Sequence, residues 1–148
     1  MKTLSILLFL VFLSFFSFLS KAQNFPDSVK INKEINVLLR DYSKATIMVD
    51  SIWLKTNLSD SFQYSDPLNY NLSKIEYIKL YTKGVYKISK AESSIDQIKN
   101  VPDFYLVNLR SNISGDAGGQ AVNGTYPFIF KVEKKAKVYK IRSIEVSQ

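Results

Sequence analysis

The chain contains no cysteine and no histidine. Without cysteine there are no disulfides, no thiolate nucleophile, and no site for the lipid anchor of a bacterial lipoprotein. Stability must come from an ordinary hydrophobic core. Without histidine as well, Ser-His-Asp triads, Cys-His dyads and Cys/His metal sites are excluded. Any chemistry falls to Asp, Glu, Tyr, Lys or Arg. Clustered arginines are also missing, and the lysines are spread along the chain as on a solvated surface, which argues against nucleic acid as a partner.

The one long apolar run is at the start. Met1-Lys2 is a short basic region, Leu4 to Leu19 is almost unbroken Leu, Phe, Ser, Ile and Val, and Ser20-Lys21-Ala22 places small residues where a signal peptidase inspects them. This pattern predicts a secretory signal over 1–22, cut before Gln23, and an exported protein, periplasmic or secreted. The run is short for a membrane span, and no later segment is apolar enough to be one. Lys2 and Lys21 fall in the signal, leaving 18 basic residues against 13 acids, a net +5 for 23–148. That length suits a single domain with one core.

Phe25-Pro26-Asp27-Ser28 predicts a helix start, with Asp27 or Ser28 as the cap. Apolar positions then recur at Ile31, Ile35, Leu38, Leu39, Tyr42, Ala45 or Thr46, and Val49, which is one face of a long helix. Asp50-Ser51 reads as a break and a new cap. A second helix is expected over Ser51 to Leu58, with Ile52, Trp53, Leu54 and Leu58 inward. Ser61 to Ser65 suits a brief strand ended by Asp66-Pro67. After a polar connection over Leu68 to Leu72, Ser73 and Glu76 have capping-box spacing. They open a third helix through Ile75, Ile78, Leu80 and Tyr81, which Gly84 ends.

Beyond Gly84 the pattern turns to strands. Val85 to Lys99 is moderately β-prone, and Asn100-Val-Pro-Asp103 is a turn. Strands are expected over Phe104 to Ile113, Thr125 to Glu133 and Lys137 to Ser147. Gly115 to Gly119 reads as a loop, Asn123-Gly124 as a further turn, and Lys134-Lys-Ala136 as a tight turn. Helices followed by strands argue an α+β fold. Tyr126, Phe128, Phe130 and Val132 share one strand face, which should cover the helix. Pro127 and Ile129 share the other, and an exposed apolar sheet face predicts a homodimer.

The order and spacing of these signals resemble the nuclear-transport-factor-2-like superfamily. The residues are Glu34-Ile-Asn-Val-Leu-Leu-Arg-Asp-Tyr42-Ser-Lys-Ala45, then Asp50, then Ser61-Phe-Gln-Tyr-Ser-Asp-Pro67, and finally Gly124-Thr-Tyr-Pro-Phe-Ile-Phe130 with Val138-Tyr-Lys-Ile141. The similarity is greatest to the SnoaL-like branch known as domain of unknown function 4440, with Tyr139 where tryptophan is usual. It covers nearly all of 23–148. The resemblance implies a cone-shaped α+β roll, about three helices packed on a curved antiparallel sheet of four to five strands, with a pocket between them. Ketosteroid isomerases in this superfamily use a helix tyrosine, an aspartate base before a proline, and a second acid on a later strand. Tyr42 and Asp66 match the first two, while Tyr126 stands near the position of the third.

Three functions are therefore expected in turn. The first is an exported, non-catalytic domain that binds a small apolar molecule, with Trp53, Phe62, Tyr64, Phe104, Tyr126, Phe128 and Phe130 lining the pocket beside Tyr42. The second is an isomerase- or cyclase-like enzyme with Asp66 as general base and Tyr42 as oxyanion donor. The third is a dimeric interaction protein with a filled interior. No cofactor or metal is expected. Gly115-Asp-Ala-Gly-Gly119 lacks the lysine of a phosphate loop, and Asp60, Asp66 and Asp116 fit no calcium-loop spacing. Sequons stand at Asn57, Asn71, Asn112 and Asn123.

Overall fold

The structure, a computed structural model, describes residues 25–67 and 70–147. The segment read as a signal, its cut before Gln23, and positions 68 and 69 of the connection after Pro67 lie outside them. The chain forms two compact units, Met1–Lys33 and Glu34–Gln148. Of the first, only the opening of a helix is described. The account below concerns the second.

Helix α1 runs Phe25–Met48. It begins ahead of the expected cap, so Asp27 and Ser28 lie within it. From Glu34 onward it buries Ile35, Leu38, Leu39, Ala45 and Thr46, the periodic face seen in the sequence. Val49 does not belong to that face. It has left the helix with φ 54° and is 39% exposed.

Asp50 caps helix α2, Ser51–Asn57, accepting from the Trp53 amide at 2.9 Å. Leu54 is fully buried, but Ile52 points to solvent. Leu58, expected on the helix, takes extended backbone at φ −81°, ψ 136° and opens strand β1, Leu58–Ser65. Strand β2, Asn71–Ser73, pairs antiparallel with β1.

Helix α3, Lys74–Thr82, has the full capping box. Ser73 accepts from the Glu76 amide while the Glu76 carboxylate accepts from Ser73 N. Its buried face is Tyr77, Ile78 and Tyr81, whereas Ile75 is exposed. The helix packs against β1.

Four long strands follow: β3 Tyr86–Val101, β4 Phe104–Ala117, β5 Gln120–Lys135 and β6 Val138–Val146. Together the described strands form one mixed six-stranded sheet in the order β2-β1-β6-β5-β4-β3. The architecture is α+β, with three helices and more strands than the four to five expected. One pairing is also parallel rather than antiparallel, because β6 returns alongside β1. Phe62, Val107, Leu109, Phe130, Val132, Ile141 and Ile144 fill the covered side and are almost wholly buried. Truncating one such residue to alanine typically costs about 2–5 kcal/mol.

Gly115 to Ala117, read as part of a loop, and Asn123-Gly124, read as a turn, are strand. Gly115 pairs with Ile88 and with Val122, and Gly124 pairs with Ile113. The chain reverses at Gly118 and Gly119, both with positive φ and both within the expected loop, and at Ala136 and Lys137, at the end of the turn expected over Lys134 to Ala136. On the other face of the sheet Arg110 grips Asp96 through two nitrogens, the shortest contact being 2.8 Å, and Lys131 lies over the Phe104 ring. No described helix is long and apolar enough to cross a membrane.

Candidate functional site

A cavity of about 770 Å³ lies between α1, α3 and the covered face of the sheet. Strand alternation builds one side of it. Leu109, Ser111 and Ile113 on β4, and Val122, Tyr126, Phe128 and Phe130 on β5, are spaced by two, or by four across Gly124, and project the same way. On β3 the spacing is interrupted. Ile88 and Ala91 both reach the cavity because the β3–β4 register shifts between Ile88 and Lys90. Such an irregularity re-aims the side chains that follow it.

The opposite wall is phenolic. Tyr42 comes from α1, Tyr77 and Tyr81 from successive turns of α3, Tyr64 from β1 and Tyr86 from β3. The Tyr42 and Tyr77 hydroxyls are hydrogen-bonded to each other, and Tyr77 is hydrogen-bonded to Tyr81 at 3.0 Å. The Tyr64 ring lies 5.1 Å from Tyr77, and the Tyr86 ring meets Tyr81 edge-on at 5.7 Å.

Burial pushes the Tyr42, Tyr77 and Tyr64 phenols well up. Burial likewise raises Tyr81, to about 12, and Tyr86. A phenol taken out of water resists becoming a phenolate. These five side chains are therefore neutral hydroxyls at physiological pH. Two small hydroxyls face them from the sheet, where Ser93 donates to Ser111 at 3.0 Å.

Asp66 is at the end of β1, half-buried and on the cavity wall. Its carboxylate accepts from the Tyr70 amide at 3.2 Å, and its own amide donates to the Tyr70 carbonyl at 3.3 Å. This closes the turn that Pro67 begins. The negative charge of Asp66 contributes to raising both Tyr64 and Tyr86, so the carboxylate lies within electrostatic reach of those phenols. Among the described lining residues Asp66 is the only carboxylate, and none is lysine or arginine. No group of acids able to hold a metal ion occurs among the described residues.

The structure thus places Tyr42, Asp66, Tyr64, Tyr126, Phe128 and Phe130 around one cavity. Three residues expected there stand elsewhere. Phe62 is 2% exposed and packs its ring 5.1 Å from Tyr77, sealed under α3. Trp53 abuts the Tyr42 ring at 6.4 Å without reaching the lining. Phe104 sits under the Lys131 ammonium, on the opposite face of the sheet from Val107 and Leu109. Counting residues from Val107 back to Phe104 gives an odd number, so strand parity alone excludes it.

Sequence reasoning missed Tyr77, Tyr81 and Tyr86. The first two were detectable. They are four apart on a capped helix, and such residues share a face. Tyr86 depends on how the chain turns after Gly84, where φ is +69°.

No family model matches the chain, and no curated protein matches it in sequence. Solved structures do match in fold. An NTF2-like protein from Cytophaga hutchinsonii superposes with a TM-score of 0.74 at 16% identity, over 78% of this chain and 96% of that one. An NTF2-like protein of unknown function in nutrient uptake from Rhodospirillum rubrum gives 0.70 at 21% identity, over 76% and 96%. A putative calcium/calmodulin-dependent kinase II association domain from Exiguobacterium sibiricum gives 0.69 at 14%, over 78% and 91%. The α+β architecture is therefore of the NTF2-like class. Identities this low establish the fold, and a fold of this kind does not carry an activity with it.

Proposed function

We propose that this chain is an exported, non-catalytic domain whose cavity binds a small, largely apolar molecule. The observation that carries the reading is the cavity's composition. About 770 Å³ is lined mainly by aliphatic and aromatic side chains, with five neutral phenols gathered on one wall. Small-molecule sites usually have this form, an apolar lining with few convergent polar groups. A cavity of that size does not favour an interaction protein with a filled interior. The engagement of Tyr42 with Tyr77, and of Asp66 with the Tyr70 amide, supports structural and lining roles for both residues. The test is native mass spectrometry of the purified protein, followed by displacement of an apolar fluorescent probe. Stoichiometric capture of one molecule per chain is expected. Failure to take up any apolar probe would remove the reading.

A second reading has one observation in its favour, since Asp66 and Tyr42 line the same cavity. On this reading Asp66 accepts a proton from carbon, and the Tyr42 hydroxyl donates to the enolate oxygen. Deuterium exchange into an enolisable ketone, abolished by Asp66→Asn, is its expected signature. Exchange at the buffer rate in the wild-type protein would end it.

A further inference from the structure

The cavity's one described ionisable lining group, apart from the phenols, is negative. The sign is local, because the chain as a whole carries a net +7. A carboxylate ligand would meet the like charge of Asp66, and none of the described lining residues is lysine or arginine. A neutral ligand gains nothing from that charge. An organic cation gains from the carboxylate and also from the electron-rich faces of nearby tyrosine rings, which attract ammonium groups.

The surroundings of Asp66 supply such rings. Tyr64 and Tyr70 are its neighbours along the chain, and Tyr86 feels its charge from β3. A smaller depression of about 260 Å³ adjoins this end of the cavity, sharing Asp66, Pro67, Val146 and Ser147 with it. It adds a second carboxylate, Glu145, and again no cation. Much of the remaining lining is apolar, including Ile88, Ile113, Val122 and Phe128.

Resting on the ligand-binding reading above, we propose that the cavity selects a monovalent organic cation, an amine with an apolar body. The nitrogen lies beside Asp66, and the body lies against Ile113, Val122 and Phe128. The protein then discriminates by charge as well as by shape, and acidic amphiphiles such as fatty acids are rejected.

Three probes with one body and different heads test this: phenylbutylamine, phenylbutanol and phenylbutyrate, titrated at neutral pH by ligand-observed NMR. The amine is expected to bind roughly tenfold more tightly than the alcohol, the scale of a partly desolvated ammonium over an aromatic face beside a carboxylate. Phenylbutyrate is expected to bind most weakly. Added salt should narrow the amine's lead, and Asp66→Asn should bring the amine-to-alcohol ratio close to one. Asparagine keeps an acceptor for the Tyr70 amide, so the turn is retained. Equal binding of amine and butyrate would overturn the charge proposal while leaving the ligand-binding reading intact. An amine lead that survives Asp66→Asn would do the same. If none of the three probes binds, both readings fall together.

Discussion

Tyr42 on the first helix and Tyr77 on the third are joined hydroxyl to hydroxyl, and Tyr77 passes the contact on to Tyr81. One side chain thereby ties two helices that the sequence separates by 35 positions. Replacing Tyr77 by phenylalanine removes the central hydroxyl and takes a partner from two desolvated phenols. The expected cost is about 1–3 kcal/mol, the usual range for stranding buried polar groups. It should exceed the cost of Tyr81→Phe, which leaves Tyr77 bonded to Tyr42. Urea unfolding followed by circular dichroism measures both, and equal stability of Tyr77→Phe and wild type would contradict the assignment.

The same cluster makes the fold sensitive to alkali. The folded-state pKa of Tyr81 is raised to about 12, against about 10 for an unfolded tyrosine. Between these values the unfolded chain has lost protons that the folded chain retains. Stability is then fully present below about pH 10 and falls as pH rises from there, by up to about 1.4 kcal/mol per pH unit for each such tyrosine. Tyr42, Tyr64, Tyr77 and Tyr86 are shifted in the same direction and steepen the fall. Ultraviolet titration of the native protein should show an early and a late group of phenols, merging into one in urea. A single step in the native protein would show that the cluster is hydrated.

Ala91 supplies a way to close the cavity without touching the phenols. It is half-buried, lines the cavity from β3 and pairs with Ile113. Ala91→Trp puts an indole into space that is now open. Loss of apolar-probe binding is expected, with a melting temperature equal to or above that of wild type. Probe binding that persists would mean the ligand sits elsewhere.

Gly115 and Gly124 look alike in sequence and should behave oppositely. A Cβ at Gly115 would stand 2.3 Å from the Lys87 carbonyl oxygen and 3.0 Å from Ile88 Cα, both backbone atoms of the neighbouring strand. Backbone cannot swing aside, so Gly115→Ala should cost about 1–3 kcal/mol, as other overpacking substitutions do. At Gly124 the nearest atoms belong to Tyr126, at 3.5 Å or more, which is ordinary contact. Gly124→Ala is expected to be neutral or slightly stabilising. Thermal melts of the two variants decide the point.

This pair also shows why part of the fold was hidden in the sequence. Glycine signals a turn through its conformational freedom. At Gly115 it is needed instead for a close approach at a strand irregularity, which depends on a partner strand 27 positions earlier in the register. Local signals were read more securely. The burial of Ile35, Leu38 and Leu39, the Asp50 cap and the Ser73–Glu76 capping box all follow from spacing within one element. The site divides the same way. Phe128 and Phe130 reach the cavity by strand alternation that the sequence displays, whereas Trp53 and Phe62 miss it because of how α2 and α3 sit. Aromatic content alone does not distinguish a residue that lines a space from one that fills the core behind it.

The parallel pairing of β1 with β6 sets an order of events. Tyr64 lies opposite Ile144, so the two halves of the sheet meet across a separation of most of the domain. Until β6 arrives, β1 with its short partner β2 is one fragment and the β3–β5 meander is another, with no strand between them. Closing so long a loop is slow, because its entropy is lost before the contacts repay it. A chain being made from its N-terminus therefore carries an incomplete sheet and an unformed cavity until β6 has been added.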